Sequence, residues 1–230
     1  MRTVMQTHIL CLAGDAAVRA ALPRLPRPPQ SRTHVYRVLR HIPTDSVSAD
    51  QARRSIAPGA ERLHTIVEFA FADEAARVEA RQSATCREFD AAVQASGERL
   101  FAFDTAPNVP IEPARGAAQG GFRRWMLLQR AAPSPAAFRE GWFGRHADLV
   151  KRLPQVDGYV QHLVVARFGP DGRAVDEDTL AVDGIAELCF ADEAAMTASY
   201  ASDARLPLRD DGRALLGGIV TLLVHGTPAP

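Results

Sequence analysis

The residues of this sequence best suited to acid–base chemistry lie on one face of a predicted helix in its second half. Apolar side chains recur at spacings of three and four residues between Phe138 and Leu153, and His146 falls inside this stripe, one turn after Trp142. A partly desolvated imidazole gives or takes a proton near neutral pH, and a neighbouring aromatic ring can hold a flat or apolar substrate against it. We therefore interpret Trp142 and His146 as lining a cavity between helix and sheet; the alternative is a core histidine with a hydrogen-bonded partner.

The strand that follows this helix offers a phenol and an amide for the same cavity. Tyr159 and Gln161 are two residues apart and share one face of the strand. If that face looks toward the helix, both side chains can bind a substrate oxygen; otherwise Tyr159 packs its ring and reaches water with its hydroxyl. His162 points to the opposite face, where we expect an interface between two sheets.

Metal and cofactor sites are not expected. His8, His34 and His64 each stand at the start of a predicted strand and could cluster, but no H-x-x-x-H or C-x-x-C spacing supports them, so scattered histidines are favoured. No glycine-rich phosphate loop follows a strand and opens a helix, which argues against a nucleotide cofactor. The G-x-S-x-G motif is absent as well. We therefore predict no bound metal and no cofactor.

An internal repeat organises the elements that position these residues. Residues 68–76 read EFAFADEAA, and residues 187–195, 119 positions later, read ELCFADEAA. Both copies are an alternating strand that runs into a helix, which Asp73 or Asp192 can cap. The same offset also aligns two other strand-like segments, residues 100–103 and 219–222. Two pairs of segments in one register predict a duplicated chain.

Each half is predicted to run strand, helix, strand, strand, helix, strand, which is the ferredoxin-like arrangement with both helices on one face of an antiparallel sheet. Two such units in tandem can pair their sheets, so the predicted fold is α+β, an intramolecular dimeric α+β barrel. Residues 1–106 form a degenerate first half, residues 107–120 a linker rich in Pro, Gly and Ala, and residues 121–230 the second half. Prolines allow only a short first helix in the first half. Only the second half therefore carries the Trp142–His146 face.

Glu187 and Phe190 belong to the second copy of the repeat. The carboxylate of Glu187 lies among apolar strand residues, so it should be paired or have a raised pKa. It could orient His146 or serve as an acid, but Glu68 occupies the matching position of the half without that histidine. This favours an architectural role, such as pairing with an arginine. Phe190 is expected in the core or on the wall of the pocket.

The second half resembles the EthD-like family over roughly residues 122–226. The pattern W-x-x-x-H-A-x-L-V, followed by L-P and G-Y-x-Q, carries the resemblance, through Trp142, His146, Ala147, Leu149, Val150, Leu153, Pro154, Gly158, Tyr159 and Gln161. A second similar block is residues 183–188 with Phe190. Asp210 stands where such proteins often have an acidic residue before the final strand, which implies a place beside the pocket; from the sequence alone it is a solvated turn or helix cap.

The resemblance implies a dimeric α+β barrel with a pocket between sheet and helices. Relatives of this barrel act as cyclases, dehydratases, isomerases or monooxygenases on aromatic and polyketide-like compounds, usually without a cofactor, and the name-giving members accompany a cytochrome P450 system that degrades ethers. One fold hosts many chemistries, so the resemblance does not choose among them.

Three functional hypotheses follow, of which the third is a purely structural pseudo-dimer, which a closed and fully packed helix-to-sheet interface would favour. The first is a cofactor-independent enzyme that acts on a small aromatic or carbonyl compound, with His146 as its general acid or base. Its predicted substrate-binding residues are Trp142, Tyr159, Gln161, Glu187, Phe190 and Asp210. The second is a noncatalytic protein that binds a hydrophobic ligand or supports a monooxygenase.

Charge and composition limit the kinds of partner that this protein can have. The 27 basic and 27 acidic residues give no net charge, which argues against a nucleic-acid partner. No apolar stretch approaches the roughly 20 residues of a membrane-spanning helix, and three scattered cysteines fit a reducing compartment. We therefore expect a cytoplasmic protein whose partner is a small apolar or aromatic molecule, and whose pseudo-dimeric chains can pair as a homodimer.

Overall fold

Eight strands of alternating or continuously apolar residues form one closed antiparallel barrel. The computed structural model describes residues 5–24, 32–52, 55–114 and 121–227. The strands are β1 (Gln6–Leu12), β2 (Arg32–His41), β3 (Thr65–Phe71), β4 (Arg99–Ile111), β5 (Gly121–Arg130), β6 (Gly158–Phe168), β7 (Gly184–Phe190) and β8 (Leu216–Thr227). Their order around the barrel is β1-β3-β2-β8-β5-β7-β6-β4, and β4 closes the ring on β1. The α+β class and the barrel that the sequence predicts are confirmed.

The helices pack on the outer surface of this barrel. They are α1 (Ala16–Ala21), α2 (Ala49–Ala52), α3 (Glu74–Gln82), α4 (Ala84–Ser96), α5 (Pro135–Gly141), α6 (Ala147–Val150), α7 (Glu193–Ala201) and α8 (Arg205–Leu215), with a π-helical turn at Trp142–His146 between α5 and α6. Asp73 and Asp192, the predicted caps, each accept a hydrogen bond from the backbone N–H three residues later. Among the described residues, no helix is both long and apolar enough to cross a membrane.

Each half of the chain contributes four neighbouring strands, in the order β4-β1-β3-β2 and β8-β5-β7-β6. Ile9 on β1 lies opposite Glu68 and Phe103, whereas Trp125 on β5 lies opposite Glu187 and Leu222. The residues that pair with β1 and those that pair with β5 are therefore 119 positions apart, which is the offset of the sequence repeat. The interior and the two outer faces have separate cores: Trp125, Phe101 and Ile185 lie inside, and one helix-covered cluster lies outside on each half.

Two differences from the sequence predictions concern the first half and the linker. Strand β4 continues to Ile111, through the first residues of the predicted linker, because it pairs with β6 as far as Tyr159; residues 115–120 of that linker lie outside the described residues. The second helical segment of the first half is broken in two at Ser83, whose backbone is extended. The hydroxyl of Ser83 accepts a hydrogen bond from the N–H of Cys86, so the break is also the cap of α4.

Candidate active site

A distorted helix holds His146 against the outer face of the second half. Ser134 caps α5 through a hydrogen bond from the N–H of Ala137, and Pro135 occupies the first turn, where its missing N–H is not needed. The π-helical turn then adds an extra residue, and Gly144 leaves the helical region with φ −91° and ψ −105°. Single π turns inside α-helices are frequent at functional sites. Here the distortion falls on the residues that carry the candidate base.

His146 is held by a carboxylate from the last helix. Its Nδ1 donates to Oδ2 of Asp211 at 2.9 Å, and both side chains are only 13% exposed. Nε of Arg145 lies 2.9 Å from the other oxygen of the same carboxylate. An acceptor on Nδ1 sets the orientation and tautomer of the ring and leaves Nε2 as its basic nitrogen. The pair is thus arranged like the base and its orienting acid in acyl-transfer and isomerase sites.

A small cavity adjoins this pair between helices and sheet. Its volume is about 30 Å³, which has room for about two water molecules. Most of its wall is aliphatic, and its polar lining consists of His146, Tyr159, Tyr200, Arg205 and Ser46. The imidazole of His146, which Asp211 orients from behind, therefore borders a narrow, mainly apolar space.

Tyr159 and Gln161 lie on the face of β6 that looks toward the helix, which was one of the two alternatives from the sequence. The amide nitrogen of Gln161 donates to the Tyr159 hydroxyl at 2.9 Å and to the carbonyl of Trp142 at 2.7 Å, and its oxygen accepts from Asn108 at 2.7 Å. Burial raises the pKa of the Tyr159 phenol far above its usual range. The phenol therefore stays protonated and can donate, while Gln161 fastens it and the π turn to the sheet.

Trp142 and Phe190 form the packed layer behind the cavity. Trp142 is fully buried and stacks on Phe138 with ring centroids 5.1 Å apart. Its ring covers Gly184, where a Cβ would come within 2.6 Å of it. Phe190 is equally buried and lies 6.4 Å from the ring of Tyr200. Substrate contact stays a prediction for both residues, which the structure assigns to the core.

Asp211, and not Asp210, lies beside the candidate base. The sequence alone predicted a solvated turn or helix cap for Asp210, whereas both residues belong to α8. Successive helical residues are about 100° apart around the axis, so Asp210 faces solvent and pairs with Arg209 while Asp211 faces His146. The spacing of Leu208, Asp211 and Leu215 was the signal that could have identified the right aspartate, because it is typical of one helix face.

Glu187 lies on the other side of the barrel wall from His146, inside the barrel. Its Oε2 accepts from Nη1 of Arg123 at 2.7 Å, so the predicted pairing with an arginine is confirmed and an orienting contact with His146 is not formed. Burial alone would raise the pKa of Glu187, but Arg123 and His162 outweigh it and lower the pKa to about 2. Strand alternation explains the separation, because Glu187 and Leu188 face opposite sides of the sheet.

Of the other potential metal ligands, the three histidines of the first half lie apart, whereas a second group comes together. His8, His34 and His64 do not meet: they contact Asp104, Tyr36 and Thr65 respectively, in agreement with the prediction of scattered histidines. Inside the barrel, however, Glu68, His162 and Glu187 each bring one potential ligand atom within 4.8 Å of the others. Sequence reasoning missed this group because its members come from three strands without a local motif.

Solved structures of similar fold cover almost the whole chain. A candidate monooxygenase from Lactobacillus acidophilus NCFM matches with a TM-score of 0.55 and 9% identity, over 98% of this chain and 96% of that one. A second, from Fusobacterium nucleatum, gives 0.58 and 6% over 98% and 94%, and an anthrone oxidase-like protein gives 0.59 and 8% over 100% and 94%. At these identities the likeness concerns the fold alone.

One family model matches a segment of the second half. No protein with a curated description matches the chain. The model of the EthD domain matches residues 131–215, which include the π turn, Tyr159, Glu187 and Asp211. Over these residues the chain is similar to the EthD domain.

Proposed function

We propose that this protein is a cofactor-independent enzyme in which His146 moves a proton on a small aromatic or carbonyl compound. The observation that carries the proposal is the 2.9 Å contact between His146 and Asp211 at the edge of a cavity. The printed name of one fold neighbour, an anthrone oxidase-like protein, supports an aromatic carbonyl compound as the substrate class. The match of the EthD domain to the segment that holds the pair adds further support.

The proposed step is proton abstraction from carbon or from a phenol. Asp211 accepts the Nδ1 hydrogen of His146 and stabilises the imidazolium that forms when Nε2 takes the proton. The electron pair left on the substrate moves to its oxygen, where the protonated hydroxyl of Tyr159 can donate to the developing enolate or phenolate. Return of the proton to another atom completes an isomerisation, and expulsion of water from a hydroxylated substrate completes a dehydration.

Substrate entry requires the cavity to widen, because 30 Å³ holds only water. The segment from α5 to α6 is the proposed moving element, since the π turn and the non-helical Gly144 interrupt its hydrogen-bond ladder. Lids of this kind open on microsecond to millisecond timescales and exclude water when they close.

A second candidate is a noncatalytic protein that binds an apolar ligand and supports a monooxygenase. The hydrogen bonds of Gln161 favour this second candidate, because both amide hydrogens and the carbonyl oxygen already have protein partners. A site with few available polar groups binds by burial of apolar surface, without chemistry on the ligand.

Deuterium exchange into anthrone distinguishes the two candidates. Anthrone has an acidic methylene group conjugated to a carbonyl, and its exchange in D₂O under argon can be followed by proton NMR. We expect the protein to accelerate exchange over buffer, His146→Ala to remove the acceleration and Asp211→Asn to reduce it. Asp210→Asn, one residue away and exposed, is the matched control and should be unchanged.

The outcomes separate clearly if the melting temperature is measured alongside. Saturable binding of anthrone without faster exchange would support the accessory protein. Intact exchange in His146→Ala, together with a melting temperature lower by many degrees, would mean that His146 is a core residue.

We also infer that the two halves are tandem ferredoxin-like units derived from one duplicated ancestor, with the active site retained only in the second. The strand orders and the common offset of 119 residues support this inference. A cytoplasmic location and pairing of two chains remain predictions from composition and from the family resemblance.

A further inference from the structure

We propose that the interior of the barrel holds a second site, in which Glu68, His162 and Glu187 bind one divalent transition-metal ion. This site is separate from the proposed enzyme function, because these side chains project inward while His146 lies on the outer face. Two carboxylates and one imidazole form a ligand set that suits zinc and the neighbouring first-row metals.

The three residues converge from three strands. Glu68 is on β3, His162 on β6 and Glu187 on β7, and their exposed fractions are 9%, 1% and 2%. One ligand atom from each lies within 4.8 Å of the other two. Nε2 of His162 and Oε1 of Glu187 are 3.5 Å apart, and a tetrahedral site with bonds of about 2.1 Å holds its ligand atoms about 3.4 Å apart.

Each of the three candidate ligands also contacts a second polar group through another atom of its side chain. Oγ1 of Thr105 lies 3.3 Å from Nδ1 of His162. The hydroxyl of Tyr36 donates to Oε2 of Glu68 at 3.1 Å, and Arg123 donates to Oε2 of Glu187 at 2.7 Å. Metal ligands in proteins usually have such outer partners, which orient the lone pair toward the ion.

Two atoms of the group lack a hydrogen-bond partner within the described residues. Nε2 of His162 and Oε1 of Glu187 are both fully buried, and the 3.5 Å between them is longer than a good hydrogen bond. Buried polar atoms are paired in nearly all proteins, since an unmade hydrogen bond is costly. An ion between the two atoms would satisfy both.

The metal would face a cavity and keep open positions. The three ligands line a space of about 500 Å³, with Tyr36 and Thr7 among its polar walls and Val109 and Val160 among its apolar ones. Catalytic metal sites keep one position for water or substrate. Two carboxylates, one guanidinium and a divalent ion together leave one positive charge, so the open position favours hydroxide or a small carboxylate.

Cobalt binding to the full-length, tag-free and chelator-treated protein tests this site. We expect one equivalent of Co²⁺ per chain, with the visible absorption bands of a tetrahedral or five-coordinate ion, and displacement by Zn²⁺. His162→Ala should abolish the bands. Tyr36→Phe, which keeps the ring and removes only the hydroxyl on Glu68, should weaken binding about 10–100-fold. His64→Ala should bind like the wild type.

Circular dichroism on the same samples separates loss of the site from loss of the fold. If His162→Ala is unfolded, Tyr36→Phe still decides the question. The absence of saturable Co²⁺ and Zn²⁺ binding in the wild type would overturn the proposal. Equal binding by folded wild type and His162→Ala would also overturn it, and so would loss of binding in folded His64→Ala.

Discussion

The outer faces of the two halves each carry a histidine paired with an aspartate, but in different settings. In the first half, Nδ1 of His8 lies 2.7 Å from Asp104, and Arg77 and Arg81 contact the same carboxylate. In the second half, Asp211 is shared by His146 and by Arg145, whose side chain is 78% exposed, and a cavity adjoins the histidine. A carboxylate held by two arginines and a histidine fixes structure, whereas Asp211, which has one arginine and one histidine as partners, can respond to the charge of its histidine.

The elements that carry the two histidines explain the difference. His8 is on strand β1, between the rings of Phe69 and Phe168, and its partner Asp104 is covered by the two arginines of α3. His146 is on a helical turn that already departs from regular geometry. The matching strand orders of the two halves therefore permit similar pairs in both, and local packing decides which of them meets a cavity.

Replacement of His146 and of His8 should give the largest difference between the two halves. We expect His146→Ala to lower the rate of catalysed proton exchange about 10²–10⁴-fold, the usual contribution of a general base. His8→Ala should leave the rate unchanged, because that ring lies in the other half. Exchange kinetics on anthrone measure both, and equal losses in the two variants would contradict an active site confined to the second half.

Asp104→Asn should have the largest effect on stability. The substitution leaves Arg77 and Arg81 facing a neutral group in a mainly buried site, so we expect a loss of about 2–4 kcal/mol in the free energy of unfolding. Asp211→Asn should cost less, because the partner Arg145 is solvated. Urea denaturation of both variants gives the two values, and the reverse order would show that the first-half cluster is not the structural one.

The same carboxylate should make stability depend on acid. Burial would raise the pKa of Asp104, but His8, Arg81 and Arg77 outweigh it, and the pKa lies below the ordinary 3.8. A lowered native pKa means that the stabilisation is complete well above pH 3.8 and is lost as the pH falls through the native pKa. The gap between wild type and Asp104→Asn should therefore shrink in urea titrations below about pH 4. A gap that is constant from pH 7 to pH 3 would argue against ion pairing.

Gly184→Ala should destabilise the protein more than a change at the equivalent position of the first half. A methyl group there would meet the ring of Trp142 at 2.6 Å, so we expect a cost of about 1–3 kcal/mol from overpacking. The position 119 residues earlier is Thr65, which already has a larger side chain in the half without a tryptophan. Thr65→Ala is thus the matched control and should cost about 1 kcal/mol or less. Thermal unfolding followed by tryptophan fluorescence compares the two.

The two equivalent helix caps should give the smallest and most equal effects. Asp73 and Asp192 have nearly the same backbone angles and bond the same position of their helices. Replacement of either by Ala should cost about 1 kcal/mol. Clearly different costs in chemical denaturation would mean that the two halves differ in their local structure as well as in their packing.

Local patterns predicted most elements and part of the site. The strands around the repeat, the caps Asp73 and Asp192 and the face of β6 with Tyr159 follow from spacing and from side-chain oxygens near helix starts, which act over a few residues. The pairing of Glu187 with an arginine was also predictable, because a buried carboxylate requires a partner. The identity of that arginine was not, since Arg123 is on another strand.

The sequence by itself determined the barrel class, the offset of 119 residues and the helix that carries His146, because periodicity and repetition are properties of the chain. Only the tertiary structure decided that Asp211 and not Asp210 meets His146, and that Gln161 is already saturated. It also decided that Glu68, His162 and Glu187 meet inside the barrel. These outcomes depend on which side chains face each other when distant strands and helices pack. Closure of the barrel sets the distances between these side chains, and the spacing of residues along the chain does not encode them.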